Sequence, residues 1–329
     1  MKLQKISCDN KVLLDIDKVK QEPGLFTMSF GFDPAPLAES IKKIGLINLP
    51  LVIKDTERDF DVVSGYRRLM ALKYLNEKQL TCIDLSSSGL SLEDLFLLNF
   101  YENLTIRPFN LIEKGMIIHR LTSYISREDI IKYYLPALQI SNINDLDIFL
   151  KIEQLNEQCK MLIAEGLLSF KTVRLIIDID EQSREAIINL IVSLKLNFNY
   201  QYQFIDYLKD ISVAENKLIY DILKEERYQN ILDDKRANNP QKSKLLFALI
   251  RDRKFPLLTS SEKTFRKRVS SFNLPEKTRI VHPPFFEAPG FRLEIFFNNG
   301  KELLEKIRHL SNLESLKSIT SPWKGDDSG

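Results

Sequence analysis

Cysteine and histidine are too few and too scattered in these 329 residues to build a site of their own. Cys8, Cys82 and Cys159 have neither metal-ligand nor disulfide spacing, so buried thiols in a reducing compartment are expected. His119, His282 and His309 stand far apart, which gives little support for a metal centre or a catalytic triad. No apolar run approaches the roughly 20 residues a membrane helix needs. The opening Met-Lys-Leu-Gln-Lys-Ile-Ser-Cys also lacks the apolar core of a signal peptide. A cytoplasmic protein with no membrane partner is expected. Internal repeats and low-complexity tracts are absent. Charge of one sign is lacking too: the net is only +2, so nucleic-acid binding would have to come from local clusters. The 44% hydrophobic and 28% charged content is that of an ordinary globular chain, long enough for two or three domains.

The stretch that organises what is present is Val62-Val63-Ser64-Gly65-Tyr66-Arg67-Arg68-Leu69-Met70-Ala71. An apolar strand stops at a glycine and an amphipathic helix starts on paired arginines. Such a corner suits phosphate, because Gly65 lets backbone approach, the helix start offers N–H groups, and Arg67 and Arg68 add forked donors. Two arginines at a helix start also occur as a plain solvated face. Around this corner the pattern predicts a strand near 12–19, a helix from Pro34 to Lys43 that Asp33 caps and Gly45 ends, and short strands at 49–54, 60–64 and 81–85. From Ser91 onward the texture is helical, with Ser91-Leu-Glu-Asp94 as a capping-box variant, Asn110 and Ser126 as further caps, and helices over 155–166, 171–179 and 181–194. A polar, turn-prone stretch at 233–244 predicts a boundary. Beyond it, strands at 279–287 and 291–297 and a helix carrying Leu303, Leu304, Ile307 and Leu310 predict a small α+β module, with a polar tail from Ser321.

Three boxes in order, the helix–turn–strand through Gly45, Asn48 and Pro50, the Gly65-Tyr66-Arg67-Arg68 corner, and Glu102-Asn103-Leu-Thr-Ile-Arg107-Pro-Phe-Asn110-Leu-Ile-Glu113, resemble the ParB N-terminal domain over roughly residues 10 to 180. The turn Ala164-Glu165-Gly166-Leu167-Leu168-Ser169 resembles the "EGxLS" that follows the helix-turn-helix of the ParB central domain. The resemblance implies an α+β protein: a small ParB/sulfiredoxin-like α/β domain over 1–90, a helical domain with a helix-turn-helix-like segment over 91–232, and a basic linker with the α+β module over 233–329. It implies CTP, or another nucleoside triphosphate, bound by Gly45, Asn48, Pro50, Gly65, Tyr66, Arg67, Arg68 and Arg107. Mg²⁺ would be held by Glu102 and Asn103, whose carboxylate and amide oxygens are hard ligands, although Glu102 also reads as a local cap. The implied partners are DNA, a second copy of the chain and a ParA-type ATPase, with a nucleoid or plasmid association and a role as clamp or regulator in DNA partition or organisation. The chain departs from the family where Tyr66 replaces the glutamate of "GERR" and Thr105-Ile106 replaces the "QR" after "EN". Nucleotide binding is therefore expected ahead of hydrolysis as a CTPase. The basic N-terminal arm through which partition proteins engage their ATPase is also missing.

Charge divides the helical part. Arg127 to Glu153, over the helix-turn-helix, has three basic residues against five acidic ones. Asn142 and Asn144 suit adenine readout there, but Asp145 and Asp147 oppose phosphate. Lys224 to Arg279 holds fifteen basic residues against seven acidic ones, densest at Arg251, Arg253, Lys254 and at Arg266, Lys267, Arg268. Those six are the candidate DNA contacts, with a solvated surface as the plain alternative. Two other readings remain for the chain: a small-molecule kinase or phosphotransferase on the same fold, and a scaffold without ligand. Sulfiredoxin chemistry has no support, because no cysteine accompanies Gly65.

Overall fold

The computed structural model describes residues 10–55, 59–288 and 290–319; Cys8 and the tail from Ser321 lie outside them. The chain forms two compact units, 1–184 and 185–329. In the first, strands β1 (Lys11–Asp15), β2 (Leu51–Lys54), β3 (Phe60–Ser64) and β4 (Gln79–Asp84) make a sheet in the order β1-β4-β2-β3. The β1/β4 and β2/β3 pairs are antiparallel and β2/β4 is parallel, with Val52 opposite Val62 and Leu13 opposite Thr81. Helices α1 (Ala35–Ile44) and α2 (Tyr66–Tyr74) pack together beside it. Ile16, Val19, Val52, Val62, Leu69, Leu72, Leu80 and Cys82 form the buried core. Each large aliphatic side chain buried there contributes about 1.5–3 kcal/mol. Burial pushes the thiols of Cys82 and Cys159 up to about 12 and about 11, so both are neutral, packed groups.

Helix α3 (Leu92–Ile106) starts on the capping box of Ser91 and Asp94, and α4 (Leu111–Leu121) on that of Asn110 and Glu113. The boundary expected at residue 90 falls inside the first unit. Phe96 and Phe100 of α3 are buried, and Asn99 donates to the carbonyl of Phe26 at 2.6 Å, so the helix completes the unit that the sheet begins. Short helices follow: α5 (Arg127–Asp129), a π turn at Ile130–Tyr134, α6 (Leu135–Ala137), α7 (Leu146–Ile152), α8 (Glu157–Ala164) and α9 (Phe170–Ile176). Gly166, at φ +73°, closes α8 in the "EGxLS" turn.

The second unit takes up α10 (Glu181–Leu194) from Glu185 onward and continues through α11 (Phe198–Glu215), α12 (Ile219–Leu223), α13 (Glu226–Asp233), α14 (Asn239–Lys254) and α15 (Pro256–Ser270). The polar stretch at 233–244 lies inside this unit: a turn over 234–238 leads straight into α14. Asn238 and Gln241 form a capping box that opens α14, and α14 then packs on α11 and α13. The antiparallel pair β5 (Thr278–Val281) and β6 (Arg292–Ile295) and the helix α16 (Gly300–Ser311) make up the expected C-terminal strands and helix. The whole is a mixed α+β fold. Among the described residues no helix is long and apolar enough to cross a membrane.

Gly115 marks a close helix crossing in the first unit. A Cβ there would lie 2.9 Å from the Phe149 carbonyl oxygen, on the backbone of α7. Alanine normally favours a helix over glycine by up to about 1 kcal/mol, but here α7 would have to move. Gly115→Ala should therefore destabilise the protein by about 1–3 kcal/mol, read as a lower urea midpoint with an unchanged slope.

Candidate functional site

Gly65 sits at φ +98° between β3 and α2, a conformation that side chains resist, and a Cβ on it would meet Pro50 Cβ at 2.9 Å and Pro50 Cα at 3.0 Å. The turn after α1 therefore rests directly on the corner. Arg68 fastens it: Nη1 donates to the carbonyls of Asn48 at 2.8 Å and Leu49 at 3.1 Å, and Nη2 donates to Glu102 Oε1 at 3.1 Å. Ser64 Oγ donates to the other oxygen of Glu102. Asn48, Pro50, Gly65, Arg68 and Glu102 thus converge. Gly45 ends α1 with its N–H on the Ile41 carbonyl at 2.8 Å, and nothing lies within 4 Å of its missing Cβ.

Arg67 and Arg107 meet on Glu113, the last residue of the third box, to which the sequence assigned no site role. Glu113 accepts from Arg67 Nη2 at 2.7 Å on one oxygen and from Arg107 Nη1 at 2.6 Å on the other. It also accepts the backbone N–H groups of Phe30 at 3.2 Å and Asn110 at 3.1 Å, and its side chain is 1% exposed. Ser29 Oγ accepts from both arginines, and the Arg67 and Arg107 guanidiniums stack on the rings of Phe32 and Phe109. Burial pushes Arg107 below its ordinary value, and the bond to Glu113 opposes that, so it remains a cation. Glu113 was legible as the third residue of a capping box after Asn110; its second task of bridging two arginines has no local signature. Ser29, Phe32 and Ser64 were missed for the same reason.

Two predicted site residues have other partners. The Tyr66 hydroxyl donates to the Gln21 carbonyl at 3.1 Å, and burial raises its pKa. Asn103 Nδ2 donates to the carbonyl and the side-chain oxygen of Asn99, at 3.0 and 2.7 Å. A carboxylate and an amide at Glu102 and Asn103 fit Mg²⁺ as hard oxygen donors. Among the described residues no group of three or more His, Cys, Asp or Glu could hold a metal ion. A cation there would need phosphate oxygens and water to complete its shell. Chemically, the corner offers three guanidiniums already paired with two carboxylates. An incoming phosphate must compete for them.

The candidate nucleic-acid residues separate into two groups. Arg251 forms a two-pronged bond to Glu262 at 2.8 and 2.7 Å. Arg253, with a side chain only 9% exposed, bonds Glu215, Glu225 and the Tyr228 hydroxyl, and Lys254 pairs with Asp206 and Asp210. The charge of these three is paired with acids of their own unit, which any nucleic-acid phosphate would have to displace. Arg266, Lys267 and Arg268 are exposed on α15, with Arg268 donating to the Ser318 carbonyl at 3.0 Å. In the first unit, the Asn142 side-chain oxygen accepts the Asn144 N–H at 3.0 Å as a cap. Asp145 is buried against Arg174, and Asp147 pairs with Arg127.

No family model matches the chain. It is 24% identical over 222 residues to the Probable chromosome-partitioning protein ParB of Campylobacter jejuni, a match that covers 66% of this chain and 76% of that protein. Similar solved structures include a C-terminally truncated ParB from Caulobacter crescentus complexed with CTP-gamma-S (18% identity, 51% of this chain and 91% of that one, TM-score 0.26). The truncated Caulobacter crescentus ParB complexed to the centromeric parS site matches at 15% identity over 59% of this chain and 98% of that one, TM-score 0.33. A Pnob8-like ParB-N domain matches at 13% identity over 76% and 97%, TM-score 0.34. Superpositions this loose carry no residue correspondences.

Two outcomes follow from the ion pairs. Glu113→Ala leaves two guanidiniums facing each other without their carboxylate and should cost about 3–5 kcal/mol in a denaturant titration, with Glu113→Gln less severe. In the second unit, burial raises Glu225, but hydrogen bonds from Lys217, Arg253 and Arg227 outweigh it and hold the carboxyl at about 2. A depressed folded value means the stabilisation is complete above the unfolded value, about 4.3, and is lost as pH falls toward about 2. Melting temperature should therefore drop across that window, and Glu225→Gln should flatten the drop.

Proposed function

The chain is ParB-like, and from that premise we propose that it is a nucleotide-dependent DNA-binding protein of chromosome or plasmid partition, with CTP and Mg²⁺ as the ligands of the Gly65 corner. The observation that carries the reading is the convergence of Gly65, Arg68, Glu102 and the Asn48–Pro50 turn, with Arg67 and Arg107 joined close by on Glu113. Arg68 and Arg67 would hold phosphate oxygens, the close-set backbone at Gly65 would admit them, and the Gly45–Pro50 turn would border the base. Bound Mg²⁺ supplies charge neutralisation between the phosphates, with Glu102 and Asn103 as its protein donors.

Arg68 gives the reading its switch. It holds the turn through two carbonyls and α3 through Glu102, so a phosphate that takes its Nη2 loosens the link to α3 while keeping the turn. Differential affinity for that rearranged state is what would couple nucleotide to DNA. DNA would be held by phosphate contacts from Arg266, Lys267 and Arg268, in a homodimer, and a ParA-type ATPase is the candidate partner by kinship.

Calorimetry with CTP, ATP and GTP in Mg²⁺ tests this. CTP should give saturable heat, and Arg68→Ala should weaken it about tenfold or more, the worth of one charge-assisted bond. Folded protein that gives heat with none of the three removes the proposal.

A further inference from the structure

A second cavity, of about 320 Å³, opens in the first unit where the end of α3, the start of α4 and the exit of α6 meet. Its polar lining is Thr105, Arg107, Lys114 and Gln139, with Phe109 and Leu138 among its apolar walls. No Asp or Glu is among the described residues lining it. Lys114 stands one residue beyond the Glu113 bridge, yet among the described residues it pairs with no carboxylate, and burial lowers its pKa. Arg107 reaches the cavity from the other side. Its Nη atoms are committed to Glu113, Ser29 and the carbonyls of Met28 and Pro108, while its Nε is buried with no hydrogen-bond partner. Gln139 is held at φ +57° at the end of the α6 turn, with its N–H on the Pro136 carbonyl.

Lys114 is a half-buried cation with no carboxylate partner among the described residues, and the buried Arg107 Nε has no acceptor, costs that an anion in the cavity would relieve. Lysine supplies a point charge, and the Arg107 Nε and the Gln139 amide can donate to oxygens, a donor set that suits a compact oxyanion, while the Thr105 hydroxyl at the rim already donates to the Glu102 carbonyl at 3.1 Å. We propose that this cavity is a phosphate-binding site, taking the phosphate group of a nucleotide or of a nucleic-acid backbone beside Lys114 and Arg107. It goes beyond the Gly65 corner and does not rest on nucleotide binding there.

Backbone amide shifts of the full chain, titrated with pyrophosphate, read the two places separately. Thr105 and Gln139 should shift saturably. Lys114→Gln should weaken that response about tenfold, leaving any response at Gly65 unchanged. Parallel titrations with CTP and with a short duplex of arbitrary sequence assign the source by which of them moves the same two amides. Absence of saturable shifts at Thr105 and Gln139, or a Lys114→Gln response equal to that of the parent protein, overturns the proposal. CTP that leaves the Gly65 amide still while pyrophosphate moves Thr105 and Gln139 removes the nucleotide reading and keeps this one.

Discussion

A carboxylate taken out of water loses several kcal/mol of hydration, and only an abundance of donors makes its burial tolerable. Glu113 has that abundance: two guanidiniums and two backbone N–H groups on its two oxygens. The donors come from four separate places, the start of α2, the end of α3, the cap of α4 and the loop at Phe30. Each alone would leave a buried charge short of partners. The bridge therefore contributes little net stability over an apolar replacement, yet makes any other arrangement of those four segments costly. It also holds Arg67 and Arg107 near one another against their mutual repulsion, which is the condition for a cationic corner.

The second carboxylate of the corner is built for the opposite behaviour. The Glu102 side chain is 31% exposed, against 1% for Glu113, and its partners are one arginine and one hydroxyl. A phosphate competing for a guanidinium displaces a carboxylate most easily where water can take over the released charge. That condition holds at Glu102 and fails at Glu113. On the proposed reading Arg68 would exchange its carboxylate for phosphate, while Arg67 and Arg107 would keep theirs. A rigid ion triad beside a replaceable pair is a division of labour that neither pair could provide alone.

Much of this was legible before any coordinates. Gly65 reads as a positive-φ residue because a strand meets a helix there, and the boxes at Ser91 and Asn110 fix two helix starts to the residue. Hydrophobic spacing placed the strands and most helices within a few residues. What escaped was whatever depends on residues far apart in the chain. Glu113 already satisfies a local motif, so nothing in its neighbourhood asks for a second role. The stretch at 233–244 is polar enough for a linker, but α14 carries the buried Leu246 and Ile250, and such a helix must pack on something nearby. The unit boundary moved accordingly.

Charge counting failed for a related reason. The basic excess between Lys224 and Arg279 was taken along the sequence, whereas an approaching anion responds to the field in space. Asp206, Asp210 and Glu215 of α11 lie outside the counted stretch and neutralise Lys254 and Arg253 inside it. Glu225 gathers Lys217, Arg227 and Arg253 in the same way. Pairs this close cancel at any distance beyond a few ångströms, and salt screens what is left over about 8 Å in physiological conditions. The cations that can act on a distant phosphate are those without an acid at their side, and on α15 the exposed Lys267 and Arg268 make no ion pair among the described residues, whereas Arg266 lies in the field of Glu262. The same reasoning singles out Lys114 in the first unit, which among the described residues has no carboxylate to cancel its charge.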